Sequence, residues 1–283
     1  MASFTNFATL SYNGGTTNSN IVTGEILEAL TAVKTAVSAN YSAGDRITYA
    51  LSLVNTGTAA ITDYTVTDNL GGYTVGANTV YPLAYNAGTV RYYINGVLQT
   101  APTVTAGPPL TVTGLTVPAG GSAVLIYETT ATPVAPLATG SSITNTATIT
   151  GGGLTNPITA QATVETASSA DLTISKALSP TTVTENGQIT YTFVISNTGN
   201  TEATAADNVV VTDTFDPILR NIAVTYNGTA WTEGTNYTYN TATGVFTTLA
   251  GQITVPAATF TQNTDGTFTV TPGTATLVIT GTV

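Results

Sequence analysis

The chain has 283 residues, enough for two domains of ordinary size, and is 42% hydrophobic but only 7% charged, with a formal net charge of −10. Five basic residues cannot neutralise a run of phosphates or hold an anionic bilayer surface, which excludes nucleic acid and membrane surfaces as partners. Cysteine and histidine are absent, so disulfides, thiolate or imidazole metal sites and every Ser–His–Asp arrangement are excluded as well.

The chain opens on an alternating run, Ser3-Phe-Thr-Asn6-Phe-Ala-Thr-Leu10-Ser11, followed by a Gly-bearing turn and a second alternating run, Asn20–Glu25. Met1–Asn6 has neither the basic region nor the apolar stretch of a signal peptide, and the reading expects either a removed leader or release from a lysing cell. No run reaches the ~18 apolar residues of a membrane span. A weak helical period over Glu25–Val33 is read as strand. From there short alternating strands and Asn/Gly/Pro turns succeed one another: Leu30–Lys34, Ile47–Tyr49 ending at Asn55-Thr-Gly57, Val66-Thr-Asp68, Leu115–Pro118, Ala123–Ile126 and Ser142–Gly152.

The same order then recurs. Leu172–Lys176, Ile189–Tyr191 and Asn197-Thr-Gly199 repeat the earlier motifs at a constant offset of 142 residues (176 − 34, 191 − 49 and 199 − 57). Val211-Thr-Asp213, Ile253–Pro256 and Ala275–Val278 follow. Two tandem antiparallel sandwiches result: an all-β fold with Ig-like domains over residues 25–165 and 166–283, preceded by a strand or hairpin over 1–24.

The second domain stops at Val283, at the position matching Ala131, without a counterpart of the Asn145 strand. The amino-terminal run supplies one: Ser3–Ser11 set against Ser142–Thr150 is identical at five of nine positions. A sandwich without its last strand has an open edge and an uncovered core. The reading therefore expects a donor strand, with Phe4, Asn6, Ala8 and Leu10 facing inward, to enter the second domain of another copy head to tail. The competing readings are a chain cut short before its last strand and closure within one chain.

The repeated order resembles the Ig-like conserved repeat domains, of formally unknown function, of bacterial surface and adhesin-like proteins. The motifs that carry it are the Lys strand, the Tyr strand ending Asn-Thr-Gly, the Val-Thr-Asp strand and the closing Ile143–Ile149 strand. The resemblance implies an Ig-like fold and a surface role more than any activity.

The only two lysines, Lys34 and Lys176, occupy equivalent inward positions, since alternate residues of a strand share a face. Asn145, Asn6, Asp68 and Asp213 fall on inward faces too. A lysine, an asparagine and an aspartate aimed into each core resemble the intramolecular isopeptide sites of Gram-positive pilins and adhesins. The resemblance implies that Lys34 joins Asn145 with Asp68 assisting, and that Lys176 joins Asn6 of a neighbouring subunit with Asp213 assisting. A buried Lys–Asp ion pair with Asn as hydrogen-bond partner, or solvent-exposed lysines, are the bland alternatives.

Other candidates are weaker. Asp63, Asp68 and Asn69, or Asp207, Asn208 and Asp216, offer oxygen ligands but match no calcium loop, so no metal and no cofactor is expected. Gly151–Gly153 lacks the helix of a phosphate cradle and reads as a turn. Trp231 with Tyr226, Tyr237 and Tyr239 makes either a carbohydrate platform or, more in keeping with strands, cross-strand packing. The function expected is therefore a self-assembling structural subunit of an extracellular filament: a pilus-like fibre, matrix fibre or spore appendage on the cell or spore surface. An adhesin stalk with a surface ligand is the alternative. A glycosidase would need a carboxylate pair in a cleft, which the scarce acids do not offer.

Overall fold

The computed structural model describes residues 2–26 and 29–283; Met1, Leu27 and Glu28, the latter two within the Glu25–Val33 run, lie outside the described residues. The described chain is almost entirely β, its one helical turn a short 3-10 segment at Ala205–Asp207. The chain divides into two compact units. Unit 1 comprises residues 1–135 and 142–165, and unit 2 comprises 136–141 and 166–283. The segment Pro136–Ser141 thus belongs with unit 2, where Asn200 Nδ2 donates to the carbonyls of Leu137 and Ala167.

Unit 1 is a sandwich of two antiparallel sheets. The first carries, in order, Val97–Leu98, Arg91–Ile94, Ser122–Ala131, Arg46–Asn55 and Leu30–Ala36, with Leu83–Tyr85 also paired to Ser122–Ala131. The second runs Thr103–Ala106, Leu110–Val117, Ile61–Asp68, Ser142–Gly151, Ile158–Thr166 and Asn40–Tyr41. Alternation builds the core: every second residue of Ser122–Ala131 is buried, placing Leu125 and Tyr127 inside with Ile47, Tyr49 and Leu51 of the neighbouring strand. Ser142–Gly151 and Ile158–Thr166 form a closing hairpin whose turn holds Gly151, Gly152 and Gly153, all at positive φ, a conformation open to glycine at little steric cost.

Unit 2 repeats the first sheet. Leu172–Ser179 pairs with Gln188–Asn197, which pairs with Gly273–Thr282, which pairs with Arg220–Tyr226. The opposing sheet is smaller: Thr212–Thr214 pairs with Val245–Thr248, and that with Tyr237–Asn240. Among the described residues no strand lies against the other edge of Thr212–Thr214. Its counterpart in unit 1, Ile61–Asp68, spans eight residues, and here three remain in a strand. Val209–Val211, β-branched throughout, lies outside the strand, although the Thr248 amide donates to the Val211 carbonyl at 2.9 Å.

The amino-terminal residues form a two-stranded ribbon. Ala2–Asn6 pairs with Val22–Ile26, and Thr9–Tyr12 with Gly15–Asn18 beyond it.

Candidate functional site

Three strands of unit 1 converge on one point of its core. Lys34 comes from Leu30–Ala36 in one sheet; Asp68 ends Ile61–Asp68 in the other, and Asn145 lies on the adjoining closing strand. Lys34 and Asp68 are buried and Asn145 is 0% exposed. Lys34 Nζ donates to Asp68 Oδ2 at 2.5 Å and lies 4.8 Å from the centre of the Tyr49 ring. The Tyr127 hydroxyl donates to the same Oδ2, and the Leu70 amide donates to Oδ1 at 3.0 Å. Both Asn145 amide atoms are buried beside the Tyr49 and Tyr127 hydroxyls without a hydrogen bond of normal geometry. A buried amide left in that state costs about 1–3 kcal/mol for each unsatisfied group, so Asn145 is held there at a disadvantage as an amide.

Burial sets the charge states. Desolvation brings the Lys34 amine down to about 8 from 10.5, against the pull of Asp68, which favours the ammonium. The Tyr49 and Tyr127 hydroxyls are pushed up, first by burial and then by the Asp68 charge, so both remain donors at neutral pH. An amine near neutrality, a carboxyl in contact with it and an unpartnered carboxamide are the parts of an amide-exchange reaction.

A pH dependence follows, with its sign. If the carboxyl must hold a proton while the amine is neutral, the reactive pair carries one proton in total, the same count as the ion pair. Raising the pH through about 8 removes that proton from the pair. Bond formation after rapid refolding is therefore expected to be level below about pH 8 and to slow above it, followed by loss of one ammonia in intact mass. A rate that instead climbs through pH 8 would mean that the neutral amine alone suffices.

Unit 2 holds the same pair in a different setting. Lys176 Nζ donates to Asp213 Oδ2 and sits 4.5 Å from the Tyr191 ring centre, but the lysine side chain is 40% exposed. Among the described residues the pair has no asparagine against it and no closing strand over it. Ile174 and Leu178, on the same face of the strand as Lys176, stand in the open. The strand registers show one further difference: Tyr49 faces Tyr127 in unit 1, whereas Tyr191 faces Ile279 in unit 2. Asp213 therefore lacks the hydroxyl donor that Asp68 has.

Asn6 is exposed on the ribbon. Phe4 and Leu10 of the same run are 54% and 62% exposed. Between Ala2–Asn6 and Val22–Ile26 the ribbon follows the pairing of the closing hairpin, and from Thr9 its register is shifted by one residue, Thr9 facing Asn18 and Leu10 facing Thr17. Ser3 faces Glu25, Phe4 faces Gly24, Thr5 faces Thr23 and Asn6 faces Val22. In unit 1, Ser142 faces Glu165, Ile143 faces Val164, Thr144 faces Thr163 and Asn145 faces Ala162.

The role of the two tyrosine hydroxyls was missed by sequence reasoning, although the signal was present. Tyr127 alternates in phase with Ala123 and Leu125, and a buried hydroxyl needs a partner, here Asp68. The remaining candidates have structural occupations. Tyr226, Tyr237 and Tyr239 are buried; Trp231 stacks on Tyr226 at 4.8 Å, and the Tyr226 and Tyr239 hydroxyls donate to the Thr254 and Leu219 carbonyls. Asn69 Oδ1 accepts from the Thr146 and Gly71 amides, and Asp207 accepts from the Thr204 amide. Among the described residues no three His, Cys, Asp or Glu side chains converge as a metal site would require, and no helix is long and apolar enough to cross a membrane.

No protein-family model matches the chain and no curated protein matches its sequence. Among solved structures it is similar to the major pilin subunit of Bacillus cereus, in its D312A form, at 14% identity over 97% of this chain and 73% of that one, with a TM-score of 0.40. It is similar to the C-terminal fragment of the major pilin of Streptococcus agalactiae at 13% identity over 52% of this chain, with a TM-score of 0.36. For the pilus backbone of Streptococcus pneumoniae the values are 11%, 86% and 0.36. The chain spans 58% of the agalactiae fragment and 55% of the pneumococcal protein. These are likenesses among β-sandwich proteins and carry no functional weight at such identities and scores.

Proposed function

We propose that the protein is a structural subunit of an extracellular bacterial filament, in which the ribbon of one copy closes unit 2 of the next, head to tail. One observation carries the reading. The chain exposes an apolar ribbon whose first strand matches unit 1's closing strand at five of nine positions and whose Ala2–Asn6 pairing with Val22–Ile26 has that hairpin's register, and unit 2 is open where such a hairpin would lie. An exposed apolar ribbon and an open edge are each aggregation hazards in a free monomer. Each removes the other when two copies meet, and because the contact joins different surfaces it propagates.

The chemistry follows in the same frame. In unit 1, Lys34 Nζ bonds to Asn145 Cγ while the Cγ–Nδ2 bond breaks. Asp68 lends its proton to the carbonyl oxygen and passes the amine proton to Nδ2, which leaves as ammonia. In unit 2 the Lys176–Asp213 pair awaits Asn6 of the incoming ribbon, and the same exchange makes the fibre covalent. Cell or spore surface is the expected location.

Electron microscopy of the purified chain tests the first half: fibres are expected, and discrete particles at every concentration tried would exclude the reading. The covalent half is tested by Asn6→Ala. Its fibres are expected to form and to dissolve to single subunits in boiling detergent, whereas wild-type fibres persist as ladders. Wild-type fibres that dissolve equally would remove the cross-link from the proposal and leave the polymer.

A further inference from the structure

The opening in unit 2 has two edges, and the ribbon has two strands. In unit 1 the closing hairpin sits between two neighbours: Ser142–Gly151 lies beside Ile61–Asp68, and Ile158–Thr166 lies beside Asn40–Tyr41. The outer seam includes the Glu165 amide donating to the Ala39 carbonyl at 2.9 Å. The counterparts of Asn40–Tyr41 in unit 2, at the repeat offset, are Thr182 and Val183, which lie in no strand although Val183 packs against the core. Val209–Val211 lies in no strand either. Both seams that the hairpin fills in unit 1 are therefore present and unfilled in unit 2.

We infer that the occupant is the whole ribbon Ala2–Ile26 of a second copy, entering as a formed hairpin whose first strand meets unit 2 in the register that the closing strand has in unit 1, the one-residue shift of the ribbon's own pairing after Asn6 lying on its second strand. This rests on the polymer reading above and specifies which strands meet. In unit 1, Ala147 faces Asp68, Thr148 faces Thr67, Ile149 faces Val66 and Gly151 faces Tyr64. Carried across by the two sequence matches, Ala8 faces Asp213, Thr9 faces Thr212, Leu10 faces Val211 and Tyr12 faces Val209. The groove agrees independently. Leu172, Ile174, Ile195, Val209 and Val211 line an apolar hollow of about 160 Å³ at the level where Leu10 would enter. On the other strand, the Glu25 amide meets the Thr181 carbonyl, as Glu165 meets Ala39.

The ribbon's internal packing also fits a buried role. A Cβ on Gly24 would lie 2.4 Å from the Phe4 ring, so Phe4 and Gly24 form a large–small pair where the closing hairpin has Ile143 and Val164, both buried. A hairpin that arrives with its own ladder formed loses less freedom on docking than a single strand would. It also leaves neither new edge bare. One inserted strand would cover Thr212–Thr214 but leave Thr181–Val183 without a partner.

The native chain has no cysteine, so paired cysteine variants of the full chain report register cleanly. Two are needed: Thr9→Cys with Thr212→Cys for the inner seam, and Glu25→Cys with Thr181→Cys for the outer one. Each would be oxidised after mixing isotope-labelled and unlabelled chains, with linked peptides mapped by mass spectrometry. Both pairs are expected to give mixed-label linkages in fibres, and a one-residue shift, Thr9→Cys with Val211→Cys, to give none, because a slip turns the side chain to the other face. Inner linkage without outer linkage would overturn the hairpin while leaving a single-strand polymer. Fibres with neither linkage would overturn the register. The absence of both fibres and linkages would remove the polymer reading itself.

Discussion

Deleting residues 2–26 is expected to abolish fibres altogether while leaving unit 1 folded, with one ammonia missing from its mass. In the proposed assembly the deletion takes away the hairpin that closes unit 2 of the next copy, and it removes no part of the described core of unit 1, which begins at Leu30. A milder variant isolates the cause. Leu10→Asp removes an apolar side chain whose burial contributes about 1.5–3 kcal/mol and directs a carboxylate into a hollow lined by Leu172, Ile174 and valines. With the added desolvation, a loss of about 4 kcal/mol raises the concentration needed for assembly roughly a thousandfold. Sedimentation across a concentration series measures it. Assembly by the deleted chain at wild-type concentrations would show that another surface drives it.

Lys34→Ala is expected to remove most of the stability of unit 1. Two effects combine. Asp68 is left buried without its cation, which costs about 3–5 kcal/mol. The cross-link to Asn145, which would enclose roughly 110 residues of chain, is lost; for a covalent loop of that size the chain-entropy estimate is about 4–5 kcal/mol. Together they approach the whole of a domain's usual ~5–15 kcal/mol. The double variant Lys34→Met with Asp68→Leu separates them, since apolar replacement of both charges removes the first effect and leaves the second. Denaturant melts should place the double variant between Lys34→Ala and the native chain. If Lys34→Ala melts with the native chain, no bond and no critical ion pair exists there.

The route from sequence to site was uneven, for physical reasons. The 142-residue offset located the Lys and Tyr strands because β alternation fixes which residues share a face, and the structure pairs Lys34 with Asp68 and buries Asn145 beside the Tyr49 and Tyr127 hydroxyls. It also made both lysines look equally inward. Inward position is a property of the strand, whereas burial depends on what lies opposite, and only Lys34 has a closing strand over it. The Val211-Thr-Asp213 motif is realised as the strand Thr212–Thr214, with Val209–Val211 outside it, since β composition marks a strand better than it marks its ends. The ribbon's internal pairing was half legible: the two alternating runs were visible, but not the Thr9–Tyr12 and Gly15–Asn18 pairing that extends the hairpin outward. The ribbon Thr259–Gln262 with Phe268–Thr271 was not foreseen, because it is inserted where unit 1 has only the short turn after Pro118 and therefore has no counterpart in the repeat. The assignment of Pro136–Ser141 to unit 2 depends on Asn200, whose amide has no periodic signature.

The most direct measurement is the intact mass of denatured full-length protein, before and after incubation at high concentration. The account predicts a freshly unfolded-and-refolded subunit lighter by one ammonia, which then passes into multiples of the subunit mass that lose one further ammonia at every junction. A chain that stays at its full calculated mass and remains a single species after prolonged incubation would contradict it.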